Sequence, residues 1–300
     1  MNAPNYVVIT PVRNEEKYLP QTIDSMAAQS VRAALWVMVD DGSSDSTGAI
    51  VDAAARKHDW IRALHRTDRG FRQAGGGVID AFYDGFQCIG DQPWDYVVKL
   101  DGDLSFSNDY FERCCERFAS DPRLGIAGGT ICTLIDGVPV TESKVDPVFH
   151  VRGATKVYRR QCWKAIGGLI RAPGWDCVDE VKANMLGWST RTFAELKLVH
   201  HRPAGQGYGL WKDWVKNGEA DYVAAYHPLF MVLKCLRRLF ERPFMLTGCG
   251  LFWGYTRGYM RHLPRIEDRD FIRYLRGQQM RRLLGRKSLW SSPNSPLGST

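Results

Sequence analysis

At 300 residues, with 44% hydrophobic and 24% charged positions, the chain has material for one large α/β domain with appended helices, and it is too long to need disulfide staples. Its formal charge of +7 is uneven: residues 1–227 carry 26 Lys and Arg against 29 Asp and Glu, whereas residues 228–300 carry 14 against 4. Eight cysteines with no C-x-x-C pair point to reduced, buried thiols, and the opening residues show none of the three parts of an export signal, so a cytoplasmic protein is expected.

The first 105 residues alternate between strand-like and helix-like segments. Residues 6–10 (YVVIT) are apolar and β-branched, and residues 16–29 have helical spacing through Leu19, Ile23 and Met26. Residues 35–39 (LWVMV) read as a second strand, and 46–57 as a helix behind a Ser-Ser-Asp-Ser-Thr capping cluster. A short strand over 61–64, a Gly-rich loop and helix over 70–88, and a strand from 96 to 100 follow. Such alternation predicts a mostly parallel sheet with right-handed crossovers, whose ligands sit at the carboxyl ends of the strands.

Polar clusters stand at three of those ends: Thr10-Pro11-Val12-Arg13-Asn14-Glu15-Glu16, Asp40-Asp41-Gly42-Ser43-Ser44-Asp45 and Asp101-Gly102-Asp103. Each alone has a plain reading as a helix start or a turn. Together they would converge on one rim. Mg²⁺ and Mn²⁺ prefer oxygen ligands, and Mg²⁺ is usually held by one or two carboxylates with substrate phosphates in the remaining positions, so Asp101 and Asp103 are candidates for a metal–diphosphate site.

The strings TPVRNEE, VDDGSSDST and LDGDLSF, in this order and spacing, resemble the family-2 glycosyltransferases, which have the nucleotide-sugar-binding fold called GT-A. The likeness runs from about residue 5 to about residue 205. It implies an α/β domain over 1–205, with a nucleotide-sugar half of about 1–105 and an acceptor half of about 106–205; the composition of the remaining residues predicts a helical region over 206–287 and a disordered tail over 288–300. It also implies a nucleotide-sugar donor and a divalent cation, Mn²⁺ or Mg²⁺. Pro11, Arg13 and Glu15 would wall the nucleoside pocket, and Asp41 would bind the base, for which a carboxylate accepting from an imide N–H is chemically apt. In the loop expected to cover the nucleotide, Arg69 and Arg72 would offset diphosphate charge or else lie solvated on the surface. Asp101 would take the ribose and metal side, with Asp103 the more direct metal ligand.

Further strands are expected over 125–134 and 153–158, and a helix over 159–168. The segment Ala172-Pro173-Gly174-Trp175-Asp176-Cys177-Val178-Asp179-Glu180 resembles the family's acidic motif, usually Glu-Asp, which carries the catalytic base about a dozen residues before a Gly. Counting back from Gly187 puts the motif's Asp at Asp176, with Trp175 where Glu is common. Inversion at an anomeric carbon needs a carboxylate to take the proton of the acceptor hydroxyl; Asp176 leads the candidates, followed by Asp179 and Glu180. The alternative is acidic residues that merely complement the helix dipole. Among GT-A enzymes a late His often completes the metal shell, and either His200 or His201 would serve; a core hydrogen bond is the alternative. The Gln-x-x-Arg-Trp motif of the family's processive members is missing after residue 202, which favours single addition over polymer synthesis.

From residue 228 the chain is apolar and aromatic with Arg interleaved, and no uncharged run approaches the ~20 residues that span a bilayer. Such a region suits peripheral contact with an anionic membrane, or a pair of core helices with solvated arginines. Nucleic acid fits less well, because no recognition motif accompanies the charge. The expected activity is therefore transfer of a sugar from a nucleotide diphosphate to a hydroxyl acceptor on a sugar, glycan or lipid-linked molecule, as in surface polysaccharide synthesis. The competing readings are a nucleotidyltransferase acting on sugar phosphates, which would carry a Gly-rich loop after its first strand, and a nucleotide-sugar-binding protein without activity.

Overall fold

Alternate residues of the first strands supply two different cores. In β1 (Tyr6–Val12), Tyr6, Val8 and Val12 enter one core and Val7 and Ile9 the other; β2 (Leu35–Asp40) and β4 (Tyr96–Leu100) divide in the same way. The computed structural model describes residues 4–68, 76–143, 146–202, 209–241 and 243–291. Within them α1 (Leu19–Ala27), α2 (Thr47–Lys57) and α4 (Tyr110–Ser120) cover one face of the sheet. The other face is covered by α3 (Gly76–Gln87), α5 (Arg160–Ile166) and part of α6 (Trp175–Met185).

The strands are ordered β3-β2-β1-β4-β8-β6-β9-β5, with β7 (Val138–Thr141) paired to β6. Strands β1 to β4, including β3 (Ile61–His65), are mutually parallel, as the alternation predicts. The second half departs from the mostly parallel expectation. There β8 (Thr155–Arg159) runs antiparallel to β4 and to β6 (Leu124–Ile135), and β5 (Leu104–Phe106) runs antiparallel to β9 (Ser189–His200). In addition, β6 turns into β7 through Asp136 and Gly137, both at positive φ, a two-residue hairpin rather than a helical crossover. Strands β5 and β7 are too short to show a period in the sequence.

Two boundaries shift for identifiable reasons. Helix α1 begins at Leu19 rather than residue 16, because Asn14 has a φ of 55° and the Glu15 carbonyl accepts from the Tyr18 and Leu19 amides in a turn. The cap of α2 is supplied by Asp45, whose carboxylate accepts from the Thr47 amide at 2.9 Å, and not by the serine hydroxyls.

A third core joins Val178 and Val181 of α6 to α7 (Leu210–Val223), α8 (Pro228–Leu239), α9 (Leu246–Met260) and α10 (Arg269–Leu283). The basic quarter is thus built onto α6. Its end differs from the expected tail: Leu289 and Trp290 pack on this core, and the Trp290 ring lies 5.8 Å from those of Phe149 and Phe230. An apolar pair in an otherwise polar stretch finds a groove to fill, so any tail begins after residue 291.

Candidate active site

The parallel register brings the ends of β1, β2 and β4 to one rim. Val12 pairs with Asp40, and the Asp41 amide donates to the Val12 carbonyl at 2.8 Å. Arg13 bridges this corner, donating to the Asp41 carbonyl at 2.8 Å and pairing with Asp68 at 2.6 Å. Gly42 has a φ of 70°, and a Cβ there would lie 2.5 Å from the Asp68 Cα, so the 66–68 turn closes directly over it. The Asp41 carboxylate is ion-paired with Arg66, whose Nε reaches Asp84 at 2.7 Å. Arg66 and Asp84 escaped the sequence reading, since β3 carries no motif. Asp40 turns away, accepting from the Ser43 amide and facing His65. Pro11 lies half-buried in β1, while Arg69 and Arg72 lie outside the described residues.

Beyond the rim, four carboxylates alternate with four cations. The Asp101 amide donates to the Ala154 carbonyl at 2.8 Å, and its carboxylate pairs with the buried Lys99. A Cβ on Gly102 would lie 2.5 Å from Val12, so the tight turn between the two acids needs glycine. His200, opposite Leu104 in the β5–β9 pairing, points Nε2 at Asp103 Oδ2 (3.3 Å) and Nδ1 at Glu142 Oε1 (2.8 Å). Arg202 pairs with Glu15 and approaches Asp103 at 3.6 Å, and Arg152 pairs with Glu142. Glu142, Arg202, Lys99 and Arg152 went unrecognised in the sequence; the visible signal was a lysine inside the apolar run YVVKL.

The electrostatics follow from this crowding. Burial and the Asp103 charge push Glu15 up to about 7 against the opposing pull of Arg202. Asp101 is likewise raised by burial, opposed by Lys99. Burial works against the charge on Glu142, but the His200 hydrogen bond and Arg152 hold it down at about 2. Burial also disfavours His200 as a cation, yet Asp103 and Glu142 lift it to about 10.

The donor set fits a divalent cation. Asp103 Oδ1 is buried without a hydrogen-bond partner among the described residues, an arrangement that calls for a ligand. His200 has the second-sphere carboxylate on Nδ1 that metal-binding histidines use to aim Nε2. Among the described residues no group of three His, Cys, Asp or Glu is arranged to hold an ion. Of the two histidines, only His200 faces Asp103. His201 is turned to Ser105 at 2.9 Å and stacks on Tyr18, while its amide donates to the Asp103 carbonyl, so it anchors β5 instead of joining the donor set.

The three acids of α6 have different surroundings. Asp179 and Glu180 are buried: Lys156 Nζ lies 3.0 Å from both Asp179 oxygens and 2.7 Å from Glu180, Tyr158 donates to Asp179, and Glu180 also binds His150 and the Val151 amide. With their oxygens occupied and no solvent path, neither meets the requirement that a base reach an acceptor hydroxyl. Asp176 is partly exposed, and its carboxylate makes no hydrogen bond or ion pair among the described residues. Its Oδ2 would lie 3.2 Å from a Cβ on Gly153, whose carbonyl accepts from Lys99 at 2.6 Å, and Lys99 in turn pairs with Asp101. Trp175, in the place where Glu is common, has its ring 5.4 Å from Lys99 Nζ and 5.5 Å from Lys156 Nζ. These lysines pair in register across β4 and β8, and both ammonium groups lie within cation–π distance of the indole.

Residues 7–168 match the sequence profile of glycosyl transferase family 2, more than half of the chain. The protein belongs to that family. A relative, the uncharacterized glycosyltransferase EpsJ of Bacillus subtilis, is 30% identical over 121 residues, which is 40% of this chain and 32% of EpsJ. The undecaprenyl-phosphate mannosyltransferase of Micrococcus luteus is 29% identical over 110 residues, 37% of this chain and 42% of that one. The chain therefore aligns with less than half the length of either curated relative. Among solved structures, the mannosyltransferase PcManGT from Pyrobaculum calidifontis in complex with GDP-Man and Mn²⁺ superposes with a TM-score of 0.55 at 16% identity, covering 96% of this chain and 89% of that one. Staphylococcus aureus TarS 1–349 in complex with UDP-GlcNAc gives 0.54 at 17%, covering 92% and 81%. At such identities the likeness is one of fold, and the fold is GT-A.

Proposed function

We propose that this family-2 protein is a metal-dependent, inverting glycosyltransferase that moves a sugar from a nucleotide diphosphate to a hydroxyl acceptor. The observation that carries this reading is the buried Oδ1 of Asp103, without a hydrogen-bond partner among the described residues and set beside His200 on the rim that also holds Asp41 and Asp101. Asp41, steadied by Arg66, and Arg13 receive the nucleoside. Asp103 and His200, with Asp101 beside them, hold the cation, which when bound supplies Lewis-acid stabilisation of the departing diphosphate. The acceptor oxygen attacks the anomeric carbon as the bond to the diphosphate oxygen breaks, and Asp176 takes the hydroxyl proton. Asp179 and Glu180 do not touch substrate; through Lys156, which also binds the Asp176 carbonyl, they fix the first turn of α6.

The solved neighbours PcManGT and TarS hold GDP-Man and UDP-GlcNAc, so GDP- and UDP-sugars are the donors to try first. The acceptor in this reading is a glycan or lipid-linked molecule at the cytoplasmic membrane face. No helix among the described residues is long and apolar enough to cross a bilayer. However, Leu236, Phe240, Phe252, Trp253 and Met260 are exposed on α8 and α9 and the turns that follow them, in the quarter that carries the excess of Arg and Lys. That combination supports peripheral contact with anionic lipid. The test of the reaction is Asp176→Asn with an acceptor found from a panel. It should fold and bind donor normally while transfer falls about 10²–10⁴-fold, and product from the wild type should have the inverted anomeric configuration by NMR. Unchanged transfer in Asp176→Asn removes it as base.

A further inference from the structure

A cavity of about 520 Å³ lies apart from the nucleotide rim, where α8 and α10 meet the acceptor half. Its walls carry Lys234, Arg237 and Arg238 from α8 and Arg282 from α10, against the two acids Asp146 and Glu241, together with the aromatic rings of Phe149, Phe230 and Trp290. The inner wall is His150 and Cys177, the second of which follows Asp176 in the chain. This volume is within the range of small-ligand sites. Basic residues in the last turn of one helix complement its dipole, and that accounts for either cluster singly. It does not account for two helices bringing their basic last turns to the same concave surface.

The local charge balance is incomplete. Lys234 is neutralised by the buried Asp221 at 2.6 Å. Arg237 and Arg238 share one partner, Glu241, at 3.4 and 3.2 Å. Arg282 has no carboxylate within ion-pair distance among the described residues; its guanidinium stacks over Trp290 at 5.2 Å. Burial and the neighbouring charges of Arg237 and Arg238 depress its pKa, as expected where three guanidinium groups gather around the single paired acid Glu241. Guanidinium forks match phosphate oxygens in geometry and charge.

We propose that this cavity binds the phosphate or pyrophosphate group of the acceptor, with Arg237, Arg238 and Arg282 as its ligands. The inference rests on the transferase reading and adds the acceptor class: a phosphorylated molecule whose hydroxyl is presented beside Asp176. A lipid headgroup and a soluble phosphate ester share this chemistry.

Calorimetric titration of inorganic pyrophosphate, without divalent cation, tests the site directly. Wild type and the nucleotide-pocket variant Asp41→Ala should bind alike, and Arg237→Gln with Arg282→Gln should weaken binding at least about tenfold. Glu241→Gln removes the acid that occupies Arg237 and Arg238 and should tighten binding, a gain that misfolding cannot mimic. Unchanged affinity in the double variant, no gain in Glu241→Gln, or loss in Asp41→Ala overturns the proposal. Release of the protein by pyrophosphate from phosphatidylcholine vesicles containing phosphatidate supports a lipid headgroup as the source; pyrophosphate binding without such release supports a soluble ester. Metal-dependent nucleotide binding is measured separately and relies on Asp41 and Asp103, so the two readings fail independently.

Discussion

The carboxylate of Asp176 meets solvent, while those of Asp179 and Glu180 are closed off by Lys156, Tyr158 and His150. Spacing put all three on one helical turn and left the order among them to the count back from Gly187. Burial and partners separate them, and both depend on Lys156 of β8, which no spacing within α6 reveals. The His150–Glu180 pair also makes a pH prediction. Burial disfavours the imidazolium, but Glu180 outweighs it and lifts His150 to about 9, above its ordinary value near 6.5. The native state therefore holds a proton that the unfolded state releases, so this contribution is complete below about pH 6.5 and disappears as pH rises through about 9. Urea midpoints measured from pH 6 to pH 9.5 should fall more steeply for wild type than for His150→Gln. Parallel curves would show that the pair contributes nothing.

At the scale of elements, the parallel half was readable because each strand alternates between two cores and ends in a polar cluster. The acceptor half was less so: β5 and β7 are three and four residues long, and their pairing partners β9 and β6 are fixed by tertiary contacts and one hairpin turn. The site inherits this difference. Asp41, Asp101 and Asp103 announce themselves at strand ends, whereas Glu142, Arg152 and Arg202 come from loops and strand ends whose positions only the folded chain defines. Helix α2 illustrates the limits of composition, since four residues of its Ser-rich lead could cap it and Asp45 does. Asp45 also accepts from the Glu16 amide at 3.2 Å, tying the first polar cluster to the second. Asp45→Ala should cost about 1 kcal/mol by denaturant unfolding and loosen nucleotide binding. A cost as small as that of a solvent-facing substitution would mean that the serine hydroxyls take over.

Over the whole molecule, the net charge of +7 conceals a near-neutral catalytic part and a basic helical part that share a core through Val178 and Val181. The surplus of Arg and Lys was visible in the sequence, but its division between an exposed apolar face and a concave basic cavity required the packing of α8 against α9 and α10. Co-flotation with phosphatidylglycerol vesicles should exceed that with phosphatidylcholine vesicles and diminish with added salt, because the contact combines buried apolar side chains with screened charge. Equal recovery with both lipids would show that the basic face does not meet the membrane.

The claim on which the account depends is that Asp103 and His200 complete a metal–diphosphate site together with the nucleoside corner at Asp41. Calorimetry of UDP and GDP against the protein, with and without Mn²⁺, measures it most directly. One of the two nucleotides should bind tightly only with Mn²⁺, and Asp103→Asn should abolish the dependence on the ion while the protein remains folded. Binding of neither nucleotide, or binding indifferent to both Mn²⁺ and Asp103, would contradict the account.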